Sequence, residues 1–192
     1  MPDSDAVAPL ATREVRVYTL DSGDNELARQ ATRHILAGLI GLMPADIRFD
    51  VGDKGKPYLQ NDRALYFSVS HSHDVSMIAI TRVSDVGVDI ERVRAVPRAE
   101  DILRRFFSHE DVTSILSDDH RELRFVEAWT RGEARVKVRG ASVWEAATPD
   151  PTVTVRPLNA PKDFAAAVAV GGTTAEWNVM QLTIRIAELL ES

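Results

Sequence analysis

Four short segments carry residue types that could do chemistry together. Asp89-Ile90-Glu91 closes a run rich in valine. On a strand successive side chains alternate, so both carboxylates share one face and Ile90 takes the other. Two hard oxygen donors side by side suit Mg2+, which uses one or two protein carboxylates and completes its shell with substrate phosphates and water. A solvated strand end reads the same way. Glu133 and Lys137 stand four apart in a stretch of helical periodicity and share a face, with Trp129 one turn back. Alone they make a surface ion pair worth roughly 0.3–0.5 kcal/mol. Beside the first pair they would add a third carboxylate and a cation to neutralise phosphate charge. His71 lies between Ser70 and Ser72 after an apolar run. No Gly-x-Ser-x-Gly elbow accompanies it, which argues against a serine hydrolase and leaves a turn histidine or a donor to a phosphate. Gly55-Lys56-Pro57 could offer a lysine and backbone amides to an anion, although it is not a Walker loop.

These residues need strands and helices to hold them. Val15, Val17 and Tyr18 suggest a first strand. Asp21, Ser22 and Asp24 offer N-caps for a helix with Leu27, Ala31, Ile35 and Leu39 at four-residue spacing, which Pro44 should end. Ile47–Val51 and Leu65–Val69 read as strands, Gly52–Pro57 and Ser70–Asp74 as loops. Val75–Val83 and Val86–Glu91 read as two strands joined by a tight hairpin at Ser84-Asp85. After Pro97 the pattern turns helical, with Ser108 to Asp111 as a cap and a long helix over Asp118–Arg139 that turns Leu123, Val126 and Trp129 inward and stops at Gly140. Strands are predicted again over 152–156, 164–170 and 175–183. The order describes an α+β fold of two halves meeting near residue 97, a common position for a ligand.

Composition narrows the options. The 192 residues carry 23 Lys and Arg against 29 Asp and Glu, a net charge of −6, and no cysteine. That excludes a disulfide framework, a thiolate metal site and a cysteine nucleophile. The longest uninterrupted apolar stretch, Phe164 to Val170, is far below the roughly 18 residues of a membrane span. Residues 1–13 are acidic at the start, contain proline and lack the basic and apolar regions of a signal peptide, so a flexible lead and a cytoplasmic location are expected. The acidic balance speaks against a nucleic-acid partner. Locally the sign reverses. Five arginines (Arg92, Arg94, Arg98, Arg104, Arg105) against Glu100 and Asp101 give +3, and four bases from Arg131 to Arg139 against Glu133 give +3 again.

Separately these signals are weak, but their order is specific. GKP (55–57), FSVSHS (67–72), VGVDIE (86–91), RRFFSHE (104–110) and WTRGEARVKVRG (129–140), with ADIRF ahead of the first, resemble the signature series of the 4′-phosphopantetheinyl transferases. The likeness is to the larger, surfactin-synthetase-activating type, and it covers Gly55 to Gly140, nearly half the chain. It implies one chain with two pseudo-symmetric halves, 14–97 and 98–192, each a mainly antiparallel sheet packed on helices. It also implies Mg2+-dependent transfer of the phosphopantetheine arm of coenzyme A to a serine of an apo acyl or peptidyl carrier protein, releasing 3′,5′-ADP. On that resemblance Asp89, Glu91 and Glu133 are the Mg2+ ligands, and Glu133 activates the carrier serine. Lys137 contacts the pyrophosphate and assists the leaving group. Ser70 and His71 touch the coenzyme phosphates, and Lys56 lines the nucleotide. The chain would act as a monomer, without nucleic acid or membrane. The sequence departs from the pattern at Gly132, where many members have lysine, and in a shorter N-terminal half. There Arg29 and Arg33 are the candidates to hold the coenzyme's 3′-phosphate. A relative that binds carrier protein or nucleotide without turnover is the alternative.

Overall fold

The computed structural model describes residues 7–140, 150–172 and 176–190. β1 (Glu14–Leu20) is buried along its whole length, Val15 and Val17 on one face and Tyr18 and Leu20 on the other. α1 (Asn25–Ile40) starts at Asp24, whose carboxylate accepts the amides of Glu26 and Leu27, as its N-cap chemistry requires. It ends before Pro44. Gly41 adopts a left-handed φ of 69° and closes the last turn, a conformation glycine reaches without strain, and Pro44 opens a separate 3-10 turn, Pro44–Asp46.

β2 (Phe49–Val51) and β3 (Pro57–Leu59) pair antiparallel around the loop that carries Lys56. β3 was hidden in the sequence because three residues beginning with proline show no alternation. β4 (Tyr66–Ser72) runs on through Ser70, His71 and Ser72, which the sequence suggested as loop, and turns at His73-Asp74 into β5 (Val75–Thr81). His73 accepts a positive φ of 55° there. The hairpin expected at Ser84-Asp85 does not form. β5 already has β1 on one edge and β4 on the other, so β6 (Val86–Arg92) crosses to a second sheet.

α2 (Ala99–Phe106) and α3 (His109–Ser117) follow, the latter capped by the Ser108 hydroxyl on the Asp111 amide. α4 (Arg121–Arg139) begins three residues later than its periodicity suggests, because Asp118 turns its carboxylate onto the His120 amide and Arg124 instead of joining the helix. It stops at Gly140, φ 64°, as expected. β7 (Thr154–Leu158), β8 (Phe164–Val170), β9 (Asn178–Ile184) and α5 (Ile186–Leu190) complete the described chain. The start of the strand expected from Ala175 lies outside the described residues.

The fold is α+β. One sheet has the order β4-β5-β1-β9, with β9 parallel to β1; the other, β6-β8-β7, is antiparallel. They face each other across Val15, Val17, Met77, Val88, Ile90, Val168 and Trp177. α1 and α5 cover the outer face of the first sheet, and α4 covers the second through Ala134 and Val138. α2 and α3 pack on the first half of α4 through Leu103, Val112 and Phe125.

The stretches on either side of residue 97 interlock. β6, from the first, is an edge of the second sheet, while β9 and α5, from the second, return to the first. Residues 7–13, read from the sequence as part of a flexible lead, are tied to β1. Arg16, 2% exposed, donates to Ala8 O at 2.6 Å and to Glu14 at 2.5 Å, and Glu14 accepts the Ala11 amide at 2.7 Å.

Candidate active site

The site is built where β6, β4 and α4 meet. Gly87 makes the meeting possible: a Cβ there would run into Ala134 O and lie 2.8 Å from Val138 N, so only glycine lets α4 lie this close to β6. Alternation along β6 then buries Val86, Val88 and Ile90 between the sheets and turns Asp89 and Glu91 outward together. On α4 the four-residue spacing sends Glu133 and Lys137 to the same flank.

Lys137 Nζ reaches Asp89 Oδ1 at 2.7 Å and Ser70 Oγ at 2.8 Å, and the Ser70 hydroxyl donates to the same Asp89 oxygen at 2.8 Å. Asp89 is 3% exposed, and its other oxygen, Oδ2, is buried with no protein partner. Burial pushes the Asp89 carboxyl above the usual range, opposed by Lys137 and Ser70 and reinforced by Glu91. Glu133 is pushed up to about 7, by burial first and then by the charge of Asp89, with Lys137 opposing and Glu91 adding to it. Glu91, half-buried, accepts from Ser72 Oγ at 2.9 Å.

Asp89, Glu91, Glu133, Lys137 and Ser70 are therefore brought together. His71 is not: it follows Ser70 on the strand, falls on the other side of β4 and is exposed. Lys56 sits at the far end of α4, where its ammonium gives its three donors to Asp85 Oδ1 (2.9 Å), Val86 O (3.1 Å) and Val138 O (2.9 Å). It ties the β2–β3 loop to the start of β6 and the last turn of α4, and burial holds its pKa down. Beside it a groove of about 260 Å³ is lined by Pro57, Tyr58, Arg63, Tyr66, Phe67 and Asp85. Arg33 is engaged within the first half, donating to Pro44 O and Ile47 O with its guanidinium 5.0 Å from the Phe49 ring; Arg29 is exposed on α1.

Sequence reasoning missed Gly87, Ser68 and Ser72. The signal was present as serine at every second position of β4, a period that points three hydroxyls to one face.

The donor set fits a hard divalent cation, since carboxylate oxygens are its preferred ligands and an unpartnered oxygen of Asp89 lies within the cluster. Among the described residues, no three His, Asp or Glu side chains close as they stand into a ready-made cage; the Lys137 ammonium rests against Asp89 instead.

Residues 85–177 match the family model of the 4′-phosphopantetheinyl transferase superfamily. Just under half of the chain is therefore similar to that superfamily. The matched residues include β6 with Asp89 and Glu91 and α4 with Glu133 and Lys137, while β4 and the Lys56 loop precede them. Parts of curated proteins are similar too. The 4′-phosphopantetheinyl transferase HetI of Nostoc sp. is 30% identical over 120 residues, 60% of this chain and 51% of that one. AcpT of Escherichia coli K12, also named a 4′-phosphopantetheinyl transferase, is 32% identical over 125 residues, 64% of this chain and 62% of its own. The 4′-phosphopantetheinyl transferase psf-1 of Bacillus pumilus is 29% identical over 128 residues, 66% and 54%. The chain thus spans about half the length of curated relatives it matches.

Proposed function

We propose that the protein moves the 4′-phosphopantetheine arm of coenzyme A onto a serine of an apo acyl or peptidyl carrier protein, with Mg2+, and releases 3′,5′-ADP. The observation that carries this is the buried Asp89–Ser70–Lys137 cluster, with Glu91 beside it and Glu133 pushed up to about 7 by burial and then by the charge of Asp89. Three carboxylates that would hold a divalent cation, with a lysine beside them, suit the gathering and neutralising of phosphate charge, and the Ser70 hydroxyl is engaged with Asp89 and Lys137. The nucleophile then comes from a second protein.

In the reaction the carrier serine oxygen bonds to the β-phosphorus of coenzyme A. The bond from that phosphorus to the oxygen bridging it to the α-phosphate breaks, and that oxygen leaves with 3′,5′-ADP. Glu133 takes the serine proton. Asp89, Glu91 and Glu133 would hold the Mg2+, which would supply Lewis acidity to the pyrophosphate. Lys137 turns from Asp89 to the pyrophosphate and stabilises the charge on the departing oxygen. Ser70 contacts a coenzyme phosphate from within the cluster, and His71, exposed on the other side of β4, contacts one from outside it. The groove beside Lys56, with two tyrosines and an arginine in its wall, takes the nucleotide.

The reading includes the surfactin-synthetase-activating, two-half type, acting as a monomer in the cytoplasm. No described helix is long and apolar enough to cross a membrane. The acidic carrier docks on the arginine-rich stretch after Glu91. Arg92 and Arg94 are exposed there, whereas Arg98 and Arg104 are already paired with Asp101 and Glu100. Intact-mass measurement of a panel of apo carrier proteins after incubation with the protein, coenzyme A and Mg2+ tests the proposal. A carrier heavier by one phosphopantetheine arm supports it, and no shift across fatty-acid, polyketide and peptide-synthetase carriers overturns it.

A further inference from the structure

β4 carries serine at alternate positions, Ser68, Ser70 and Ser72, each buried and each turned toward β6. A buried hydroxyl without a partner is costly, and here each finds its partner on β6. Ser68 Oγ accepts the Val88 amide at 3.1 Å, and Ser70 Oγ donates to Asp89. Ser72 Oγ accepts the Arg92 amide at 3.2 Å and donates to Glu91 Oε2 at 2.9 Å. β6 has β8 on one edge and, among the described residues, no ladder partner on the other. The three hydroxyls do there what a neighbouring strand would do.

Ser72 stands apart from the other two. Its oxygen grips the backbone amide just after Glu91 and, with its only proton, the Glu91 carboxylate itself, so one atom fixes both ends of that residue. His73 Nδ1, 3.2 Å away, completes its surroundings. Ser68 holds backbone alone.

We propose that Ser72 is a positioning residue, which sets the Glu91 carboxylate beside Asp89 for a shared divalent cation. This rests on the cation site of the proposed function. Partners that orient a metal-binding group are worth about 10–100-fold in metal affinity. Titration of Mn2+ into the full chain with coenzyme A bound, followed by electron paramagnetic resonance, reads the effect without turnover. Ser72→Ala is expected to weaken Mn2+ binding about 10-fold, and Ser72→Thr, which keeps the hydroxyl, to restore most of it. Ser68→Ala removes a hydroxyl from the same joint but not from a carboxylate, and is expected to lower thermal stability while leaving Mn2+ affinity unchanged. In a Glu91→Ala background, Ser72→Ala should cost nothing further.

Wild-type affinity in Ser72→Ala, an equal loss in Ser68→Ala, or full additivity with Glu91→Ala overturns the proposal. If Ser72→Ala does not fold, Ser72→Cys carries the comparison: its weaker donor should give a smaller loss, and no loss overturns the proposal. Failure of the underlying reading is distinct, because the wild-type protein would then neither bind Mn2+ with coenzyme A nor modify any carrier.

Discussion

Glu133 is the proposed proton acceptor, and the fold sets its hold on a proton. Its pKa of about 7 comes from burial and from the charges of Asp89 and Glu91, so its proton is tuned by residues more than forty positions away in the chain. The shift also has a sign for stability. Between the ordinary carboxylate value and about 7, the folded metal-free chain keeps a proton that the unfolded chain has released. The stability this confers is full below the unfolded value and is lost as pH rises through about 7. In the presence of a chelator, wild type is therefore expected to lose more thermal stability than Glu133→Gln between pH 5 and pH 8. Parallel melting curves for the two proteins across that range would contradict the assignment. At this scale the acids, Ser70 and Lys137 were legible, because alternation on a strand and four-residue spacing on a helix fix which side chains share a face. The ion pair between Lys137 and Asp89 was not, since its members are 48 positions apart and come together only when α4 lies on β6. The side-chain bonds of Lys56 were equally hidden, because two of its three acceptors are backbone carbonyls of distant elements.

Two glycines decide how α4 performs, in opposite ways. Gly87 lets the helix touch the strand: a Cβ there meets helix backbone, which cannot swing aside as a flexible side chain would. Gly87→Ala is expected to cost about 1–3 kcal/mol in urea denaturation, with lost activity, as overpacking does. A change below a few tenths would mean that the contact is slack. Gly132 stands in the middle of the same helix with nothing within 4 Å of a Cβ. Gly132→Ala is therefore expected to stabilise the protein by about 0.5–1 kcal/mol in the same assay, and destabilisation would show that the flexibility of Gly132 is used. The helices and long strands were legible in the sequence because caps and periodicity are local. The crossing of β6 to a second sheet was not. A Ser-Asp pair between two β-rich runs has the same local chemistry whether the strands pair or part, and the edges already filled by β1 and β4 decide it.

On the scale of the molecule, the sheets share strands across the middle of the chain. A cut near residue 97 would strip β6 from the second sheet and β9 with α5 from the first, exposing Val88, Ile90, Ile186 and Leu189. Neither 14–97 nor 98–192 expressed alone is expected to melt cooperatively by circular dichroism, while the two together should recover structure; a stable isolated half would contradict the interlocked core. The net charge of −6 says little about partners, because charge of both signs is gathered locally, acids at the cluster and arginines just after it. Whether that cluster is the transfer centre is tested most directly by the intact mass of an apo carrier protein incubated with coenzyme A, Mg2+ and either wild type or Asp89→Asn. A gain of one phosphopantetheine arm is expected with wild type, and a rate at least about 100-fold lower with Asp89→Asn in a variant that remains folded. An unmodified carrier with wild type, or equal rates with both proteins, would contradict that assignment.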